Sequence, residues 1–437
     1  MNKNAYKLLH EGTLAFADME YNGIKVDVRY CRRQKKNINQ QIELLELELD
    51  RTEEMKVWRK RYKDDFNLDS TDQLKKVLFT DLKITPPAYT DKGNPSVNKD
   101  NLNLIDSPIV EPLIKLRQLK KLNNTYLKNI MEETVNGYIH PSFNLHTVQT
   151  FRSSCDRPNF QNMPIRDPFM GKIIRTAFIP RENSIIGGLD YAGIELSMAG
   201  CNSKDPLLIK DYITIHKTQA ARCFALKEKQ VTKDIRYYGK NGFVFPQLYG
   251  SWNVPIAENL LRITKGMQTV DNLDLYEHLE AKGISHPEIF QDHIENVETR
   301  FWETYSVHKK WQEGWISNYY KKGYIEMLTG FRCKGILSKN QLFNYANQGI
   351  AFHCLLWSII QMNKWLKKYK MKSKLIWNIH DDMGLDIHNT EKEDVLQKAK
   401  EIMCIEIKKA WKWIITPLEI EAEFSNKNWY EKEKVKI

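Results

Sequence analysis

The stretch LIWNIHDDMGLDI (residues 375–387) sets two apolar runs on either side of His380, Asp381 and Asp382. Apolar runs of this kind, parted by a short polar segment, predict a hairpin with the acidic pair at its turn. Adjacent carboxylates repel and are tolerated best in water or beside a cation. Further back, SIIGGLDY (184–191) holds no charge until Asp190, so a strand is expected whose carboxylate emerges at its end. A strand-end Asp serves as a turn or helix cap; a metal-binding acid would occupy the same kind of position.

Between these strands, ITIHKTQAARCF (213–224) and KDIRYYGKNGFVFPQLYGS (233–251) place His216, Arg236 and Lys240 among aromatic residues. Arg236 and Lys240 are four apart, so on a helix both project from one face, a spacing that suits a polyphosphate or a plain solvated face. Phe243, Phe245 and Tyr249 fit a protein core as readily as a nucleotide platform.

From Val28 to Lys63 there is no Pro or Gly, and Ile38, Ile42, Leu45 and Leu49 recur at helical spacing, which predicts one long helix. A second is expected from Pro108 to Glu133, with Leu113, Leu116, Leu119, Leu122 and Leu127 on one side among Lys115, Arg117, Lys120, Lys121 and Lys128. Two such helices can form an arm against a phosphate backbone or simply pack together under solvated lysines. Pro86, Pro87, Gly93 and Pro95 mark residues 66–107 as short helices and loops. Strands are expected over 137–195, in GYIHPSFN, TAFIP and SIIGGLDY, and helices return from Lys204 to Lys321. The order is helical arm, sheet, helical insert, sheet.

A chain of 437 residues with 42% hydrophobic content builds a folded body of several substructures, and is neither a disordered tail nor a miniature scaffold. The longest apolar stretches, such as Cys354 to Ile360, fall short of the roughly 20 residues that cross a bilayer, and the N-terminus has no signal-like apolar core. A soluble intracellular protein, with no membrane partner, is expected. Seven scattered cysteines without a CxxC pair argue against a disulfide framework or a zinc knuckle. A net charge of +11 points to a polyanionic partner.

The ordered combination of these segments resembles family A DNA polymerases. LDYAGIELS (189–197) is similar to their motif A, RYYGKNGFVFPQLYG (236–250) to motif B and NIHDDMGL (378–385) to motif C, in the family's order. FRSSCDRPNFQNMPIRDP (151–168) resembles the segment before motif A, and FNYANQGIAFHCLL (343–356) the segment before motif C. MEYNGIKVD (19–27) and IHPSFN (139–144) match further pieces, so the resemblance runs from about residue 10 to the end.

The resemblance implies an α+β right-hand fold with palm, fingers and thumb and an antiparallel palm sheet. The expected divisions are a lead-in to the palm (1–27), thumb (28–136), first palm part with motif A (137–202), fingers with motif B (203–333) and second palm part with motif C (334–437). It implies Asp190, Asp381 and the backbone carbonyl of Tyr191 as metal ligands, with Asp382 a supporting acid. Arg236, Lys240 and His216 would hold the triphosphate of a deoxynucleotide, with Phe243 or Phe245 beside it. Tyr249 would close over the base and, with Glu195, block a ribose 2′-OH. Arg152, Gln348 and His380 would touch the primer end, and Asn159, Gln161 and Asn344 the duplex. Implied cofactors are two Mg²⁺, with Mn²⁺ as a substitute, since hard oxygen ligands suit them and a metal pair can activate a 3′-OH and stabilise departing pyrophosphate. Implied partners are primed DNA template and dNTPs. A monomer is expected, in the cytoplasm of a bacterium or a virus-infected cell, with an organelle as the alternative.

This chain departs from the family pattern in several places. Lys240 to Phe245 has one residue more than motif B usually carries, in a segment with Gly239, Gly242 and Pro246. One extra residue turns one side of a helix by about 100° relative to the other unless a bulge absorbs it. Gly193 and Ser197 replace polar and basic residues usual in motif A, and Asp382 stands where Glu is common. The arm begins close to Met1, and Asp18 and Glu20 have the spacing of an exonuclease metal site within a segment resembling polymerase sequence. The expectation is therefore a polymerase without intrinsic 3′-5′ proofreading, any such activity coming from a separate exonuclease or replisome protein. Two other readings are a phage-type single-subunit RNA polymerase, which Glu195 opposes, and an inactive DNA-binding replisome protein, which the retained carboxylates oppose.

Overall fold

A computed structural model describes residues 2–90, 92–165 and 167–437. Its centre is a five-stranded antiparallel sheet, in the order Glu433–Lys434, Ile420–Ser425, Ser184–Tyr191, Asp382–His388, Lys374–Ile379. Ser184–Tyr191 is the middle strand and is buried along its length except at Asp190, which explains its nearly continuous apolar sequence. Register puts Asp190 opposite Asp382 on one side and Glu421 on the other, and Gly188 opposite Gly384 and Glu423. Facing pairs share a side of the sheet, so four acidic residues crowd one end of one face. The hairpin expected around His380 and Asp381 forms as read, with His380 in the left-handed region at φ 53°.

The sheet's other face packs on helix Ile350–Lys368, most of whose circumference is buried, and on helix Lys3–Asn22. These elements make the largest hydrophobic core, which reaches to Trp429. A second core, built from Leu196, Phe224, Phe243, Phe290 and Phe301 among others, lies in the helical insert. A third, around Trp58, Leu78 and Leu113, forms the far end of the helical arm.

The arm departs from the single long helix expected. Val28–Leu49 stops, and Glu53–Tyr62 starts anew with the Thr52 hydroxyl accepting from the Met55 amide at 3.3 Å. The break turns Met55 and Trp58 into the third core, where the Trp58 indole donates to Gln73 at 2.9 Å. The second arm helix runs from Val110 through Lys121 and on to Glu132, with a widened turn at Leu122–Leu127. All five leucines of its predicted stripe are buried. Lys120 pairs with Glu46 at 3.0 Å and Asn123 donates to Asn39 at 2.8 Å, so part of its polar surface seals the arm itself.

TAFIP is not a strand. Asp167 caps, and Pro168 opens, a helix over Pro168–Thr176, and only Phe178 makes an isolated bridge, to Val26. The seven cysteines are free thiols, all but Cys404 buried. Among the described residues, no helix is long and apolar enough to cross a membrane.

Candidate active site

Asp190 at its strand end and Asp381 in the hairpin turn line a cleft of about 310 Å³ with Asp382, Glu421, Glu423, Arg175 and Lys432. Larger hollows lie elsewhere, one of about 910 Å³ on the outside of the insert between Thr232 and Gln268. That one brings together no comparable set of charges. Asp190 is the one exposed residue of its strand, but it sits in a recess where surrounding protein thins its hydration. Its pKa is pushed well above the ordinary range, first by that burial and then by Asp381 and Asp382, with Lys240 opposing. A carboxylate held beside like charges in a recess is a seat for a cation.

Asp382 does not share the mouth equally. Its Oδ2 accepts from the Trp377 indole at 3.3 Å, while Oδ1 is buried with no hydrogen-bond partner. It lies over Gly188, where a Cβ would stand 1.8 Å from Oδ1. Burial raises its pKa, and Lys432, the Trp377 hydrogen bond and Arg175 each offset part of that rise. Lys432 also pairs with Glu423 at 3.5 Å, and Arg175 stacks on Trp429 at 4.1 Å.

Among the described residues no three His, Cys, Asp or Glu side chains converge as a closed metal cage. The donor set here is two carboxylates in mutual repulsion plus an orphaned carboxylate oxygen. That set fits a hard divalent ion such as Mg²⁺, which keeps waters and substrate oxygens among its ligands. The Tyr191 backbone follows Asp190 directly, and its side chain anchors the strand end. The buried phenol contacts Ser358 Oγ at 2.9 Å and donates to the Met403 carbonyl at 3.0 Å.

Next to this cleft, with Lys240 near enough to act on the Asp190 charge, Lys233–Tyr238, Gly239–Val244 and Phe245–Leu248 form one continuous helix whose middle segment is a π-turn. The Phe245 amide donates to the carbonyl of Lys240, five residues back. This is the bulge that absorbs the extra motif B residue, and it returns Arg236 and Lys240 before it, and Phe245 and Tyr249 after it, to a common side. Lys240 Nζ lies 5.1 Å from the Phe245 ring centroid, and Phe245 and Tyr249 rings lie 5.8 Å apart. Gly239 lets the helix approach Ile215–Cys223, since a Cβ there would stand 2.4 Å from Ala220 Cβ.

Two of the expected nucleotide residues are placed differently. Phe243 is fully buried in the second core, edge-on to Phe301 at 5.7 Å, and so does not face the cleft, whereas the bulge leaves Phe245 beside Lys240. His216 sits behind Phe245, its ring 5.5 Å away and 2% exposed. Burial, then Lys240 and Arg236, lower its pKa to about 3. It is a neutral imidazole at neutral pH and has no charge to offer a triphosphate.

A hydrogen-bond chain closes the side between the two halves. Tyr249 donates to Glu195 Oε2, Gln348 Nε2 donates to Tyr249 Oη at 3.3 Å, and Arg152 donates to Gln348 Oε1 at 3.0 Å. Burial and Asp381 raise the Glu195 pKa, and the Tyr249 hydrogen bond opposes them. Gln348 sits in a second π-turn, Tyr345–Gly349, one turn after Asn344, whose Oδ1 is buried without a partner. Asn159 and His380 are exposed, and Gln161 is half-buried. Although its surface is exposed, the His380 ring is partly desolvated in the cleft, and this and Arg152 lower its pKa, with Asp381 opposing.

Sequence reasoning missed Trp377, Arg175, Lys432 and the Glu421–Glu423 pair. The alternating carboxylates of LEIEAEF were a readable strand signal; the two cations arrive from distant parts of the chain, and no local pattern marks them.

The model of DNA polymerase family A matches residues 29–431. The chain is 27% identical over 401 residues to DNA polymerase I of Geobacillus stearothermophilus, covering 89% of this chain and 42% of that protein. It is 28% identical over 406 residues to the thermostable DNA polymerase I of Thermus aquaticus, covering 89% and 44%. It therefore spans less than half the length of these relatives. The solved structure "POL domain of Pol1 from M. smegmatis complex with DNA primer-template and dNTP" superposes with a TM-score of 0.75 at 21% identity, over 96% of this chain and 70% of that one. With motifs A and C meeting in one cleft and the family's model matched over nearly the whole length, this chain belongs to DNA polymerase family A.

Proposed function

We propose that this chain is a DNA-directed DNA polymerase that adds deoxynucleotides to a primer 3′-OH. The observation that carries this reading is the nearness of Lys240 to Asp190 and of Tyr249 to Asp381, which sets the helix bearing Arg236, Lys240, Phe245 and Tyr249 beside the acidic pair. Asp190, Asp381 and the Tyr191 carbonyl would hold divalent metal, which supplies Lewis-acid stabilisation of the oxygens that gain charge during transfer. Arg236 and Lys240 grip the triphosphate and offset its charge. Phe245 and Tyr249 carry the base and sugar, and the Tyr249–Glu195 hydrogen bond keeps the ring against the space a 2′-OH requires. Arg152 and Gln348, already bonded to each other, present donors to the minor groove, where acceptors are nearly alike for every base pair. In this reading residues 137–202 and 334–437 are palm, with 1–27 its lead-in, 203–333 fingers and 28–136 thumb. The fingers helix closes on a correct nucleotide and excludes water.

The same reading assigns no proofreading to these residues. Asp18 is engaged by Asn363 at 2.7 Å and by Lys367 at 2.5 Å, and Glu20 accepts from the Phe143 amide at 2.6 Å, so both members of the DxE pair have structural partners. The test is extension of a primed single-stranded template with Mg²⁺ and dNTPs. Templated extension by the wild-type chain that vanishes in Asp190→Ala supports the assignment. Absence of extension despite duplex binding refutes it, and trimming of a mismatched 3′ end refutes the single-activity reading.

A further inference from the structure

Asn378 lies just before the acidic turn and is fully buried. Its Nδ2 donates to the carbonyls of His380 at 3.3 Å and Asp382 at 3.4 Å, the residues on either side of Asp381. Its Oδ1 accepts from Ser153 Oγ at 2.5 Å. Gln161 completes the group, its Nε2 donating to Ser153 Oγ at 2.9 Å and to the Asn378 carbonyl at 3.2 Å. A primary amide nitrogen carries two hydrogens, so those of Asn378 and of Gln161 are all committed inside the protein. A carbonyl only accepts, so the Asn378 carbonyl fixes which end of the Gln161 amide faces inward. Oε1 is the polar atom Gln161 keeps for another partner.

Ser153 is the hub of this group. It adjoins Arg152, which holds Gln348, and among the described residues it is the one side chain that bonds both Gln161 and the Asn378 amide. One segment, 152–161, therefore carries Arg152, Asn159 and Gln161 and is also fastened to the carbonyls that frame Asp381.

We propose that Ser153 is a positioning residue that couples the seating of the primer end to the acidic turn, making extension selective for a correctly paired terminus. The proposal rests on the polymerase reading above. A mispaired end shifts the base edges in the minor groove and displaces the segment that meets them. Through Ser153 Oγ the displacement pulls on the Asn378 amide, whose two hydrogen bonds hold the turn. Without the hydroxyl the segment and the turn move independently, so the correct end gains less and the wrong end loses less.

The experiment compares single-nucleotide extension from matched and mismatched primer ends by wild type, Ser153→Ala and Ser153→Thr. The matched-to-mismatched ratio of kcat/KM is expected to fall about five- to tenfold in Ser153→Ala, the factor one hydrogen bond is worth. The change should lie in kcat, with KM for the nucleotide unmoved, and Ser153→Thr, which keeps the hydroxyl, should retain the wild-type ratio. An unchanged ratio in Ser153→Ala, or a threonine variant that behaves like alanine, overturns the coupling. Gln161→Ala and the double variant guard against a folding defect. If both residues act through one joint, the double variant loses no more selectivity than the worse single, whereas losses that multiply overturn the proposal. A wild-type chain that fails on the matched end refutes the polymerase reading itself, and is told apart by that arm alone.

Discussion

Gly188→Ala probes the site through a single methyl group. An ideal Cβ at 188 falls 1.8 Å from Asp382 Oδ1 and 2.5 Å from its Cγ, on the strand next door. No contact of that length survives, so the Asp382 carboxylate must rotate off Gly188 and away from the Trp377 indole. Overpacking of this kind costs about 1–3 kcal/mol, and losing a hydrogen bond to a charged group costs about 1.5–3 kcal/mol. The displaced carboxylate has the Asp190–Asp381 mouth on its open side, where a further negative charge misplaces whatever cation the pair holds. The expected result is a lowered thermal midpoint together with at least a tenfold loss of extension, the factor that about 1.4 kcal/mol produces. A double-mutant cycle isolates the cause. In an Asp382→Ala background the clash is absent, so adding Gly188→Ala should cost almost nothing, and the coupling should equal nearly the whole single-mutant effect. Equal destabilisation by Gly188→Ala in both backgrounds would refute the reasoning, because the glycine would then be needed for its backbone and not for Asp382.

Glu195→Ala removes the acceptor that holds Tyr249, and discrimination against ribonucleotides in single-nucleotide incorporation should fall at least about tenfold, equivalent to about 1.4 kcal/mol; unchanged sugar selectivity would sink the gate. Lys240→Met should lower kcat/KM about 10- to 100-fold, the worth of one charge-assisted hydrogen bond, whereas Phe243→Leu should act on stability and leave nucleotide KM alone, as its contact with Phe301 requires. His353 and His216, both pushed from 6.5 to about 3, and His308, pushed to about 4, are neutral in the folded state. Folded pKa values below the unfolded one mean that their contribution is complete above about pH 6.5 and is lost as pH falls toward 3–4. Acid unfolding followed by tryptophan fluorescence should therefore begin below pH 6.5, and His353→Gln should make it less steep; an identical acid profile in that variant counts against the assignment.

Much of the fold could be read from local pattern because each element's burial is periodic. The stripe Leu113, Leu116, Leu119, Leu122, Leu127 and the runs around Asp190 and Asp381 announced a helix, a strand and a hairpin. Where a single polar group competed with periodicity, the pattern misled. Thr52 stops a helix that charge and apolar spacing alone would continue, and the Asp167–Pro168 start turns TAFIP away from a strand. The extra residue of motif B was visible in spacing, but whether a bulge would absorb it depended on Gly239 and Gly242 meeting Ala220 and Leu260 from other helices.

Residue types and their spacing mark Asp190, Asp381, Arg236, Lys240, Tyr249 and Glu195 as candidates, in an order that belongs to the family. Type and spacing are properties of the chain, and they survive in any reading of it. The tertiary structure alone decided orientation and partnership. It buried Phe243 and set Phe245 beside Lys240, made His216 neutral by burial, turned Asp382 onto Gly188, brought Arg175 and Lys432 to the acidic cleft, and joined Ser153 to Asn378 behind the acidic turn, all from separate parts of the chain. Register, burial and charge–charge distance are set by segments far apart in sequence, and those quantities decide what a carboxylate or an imidazole does.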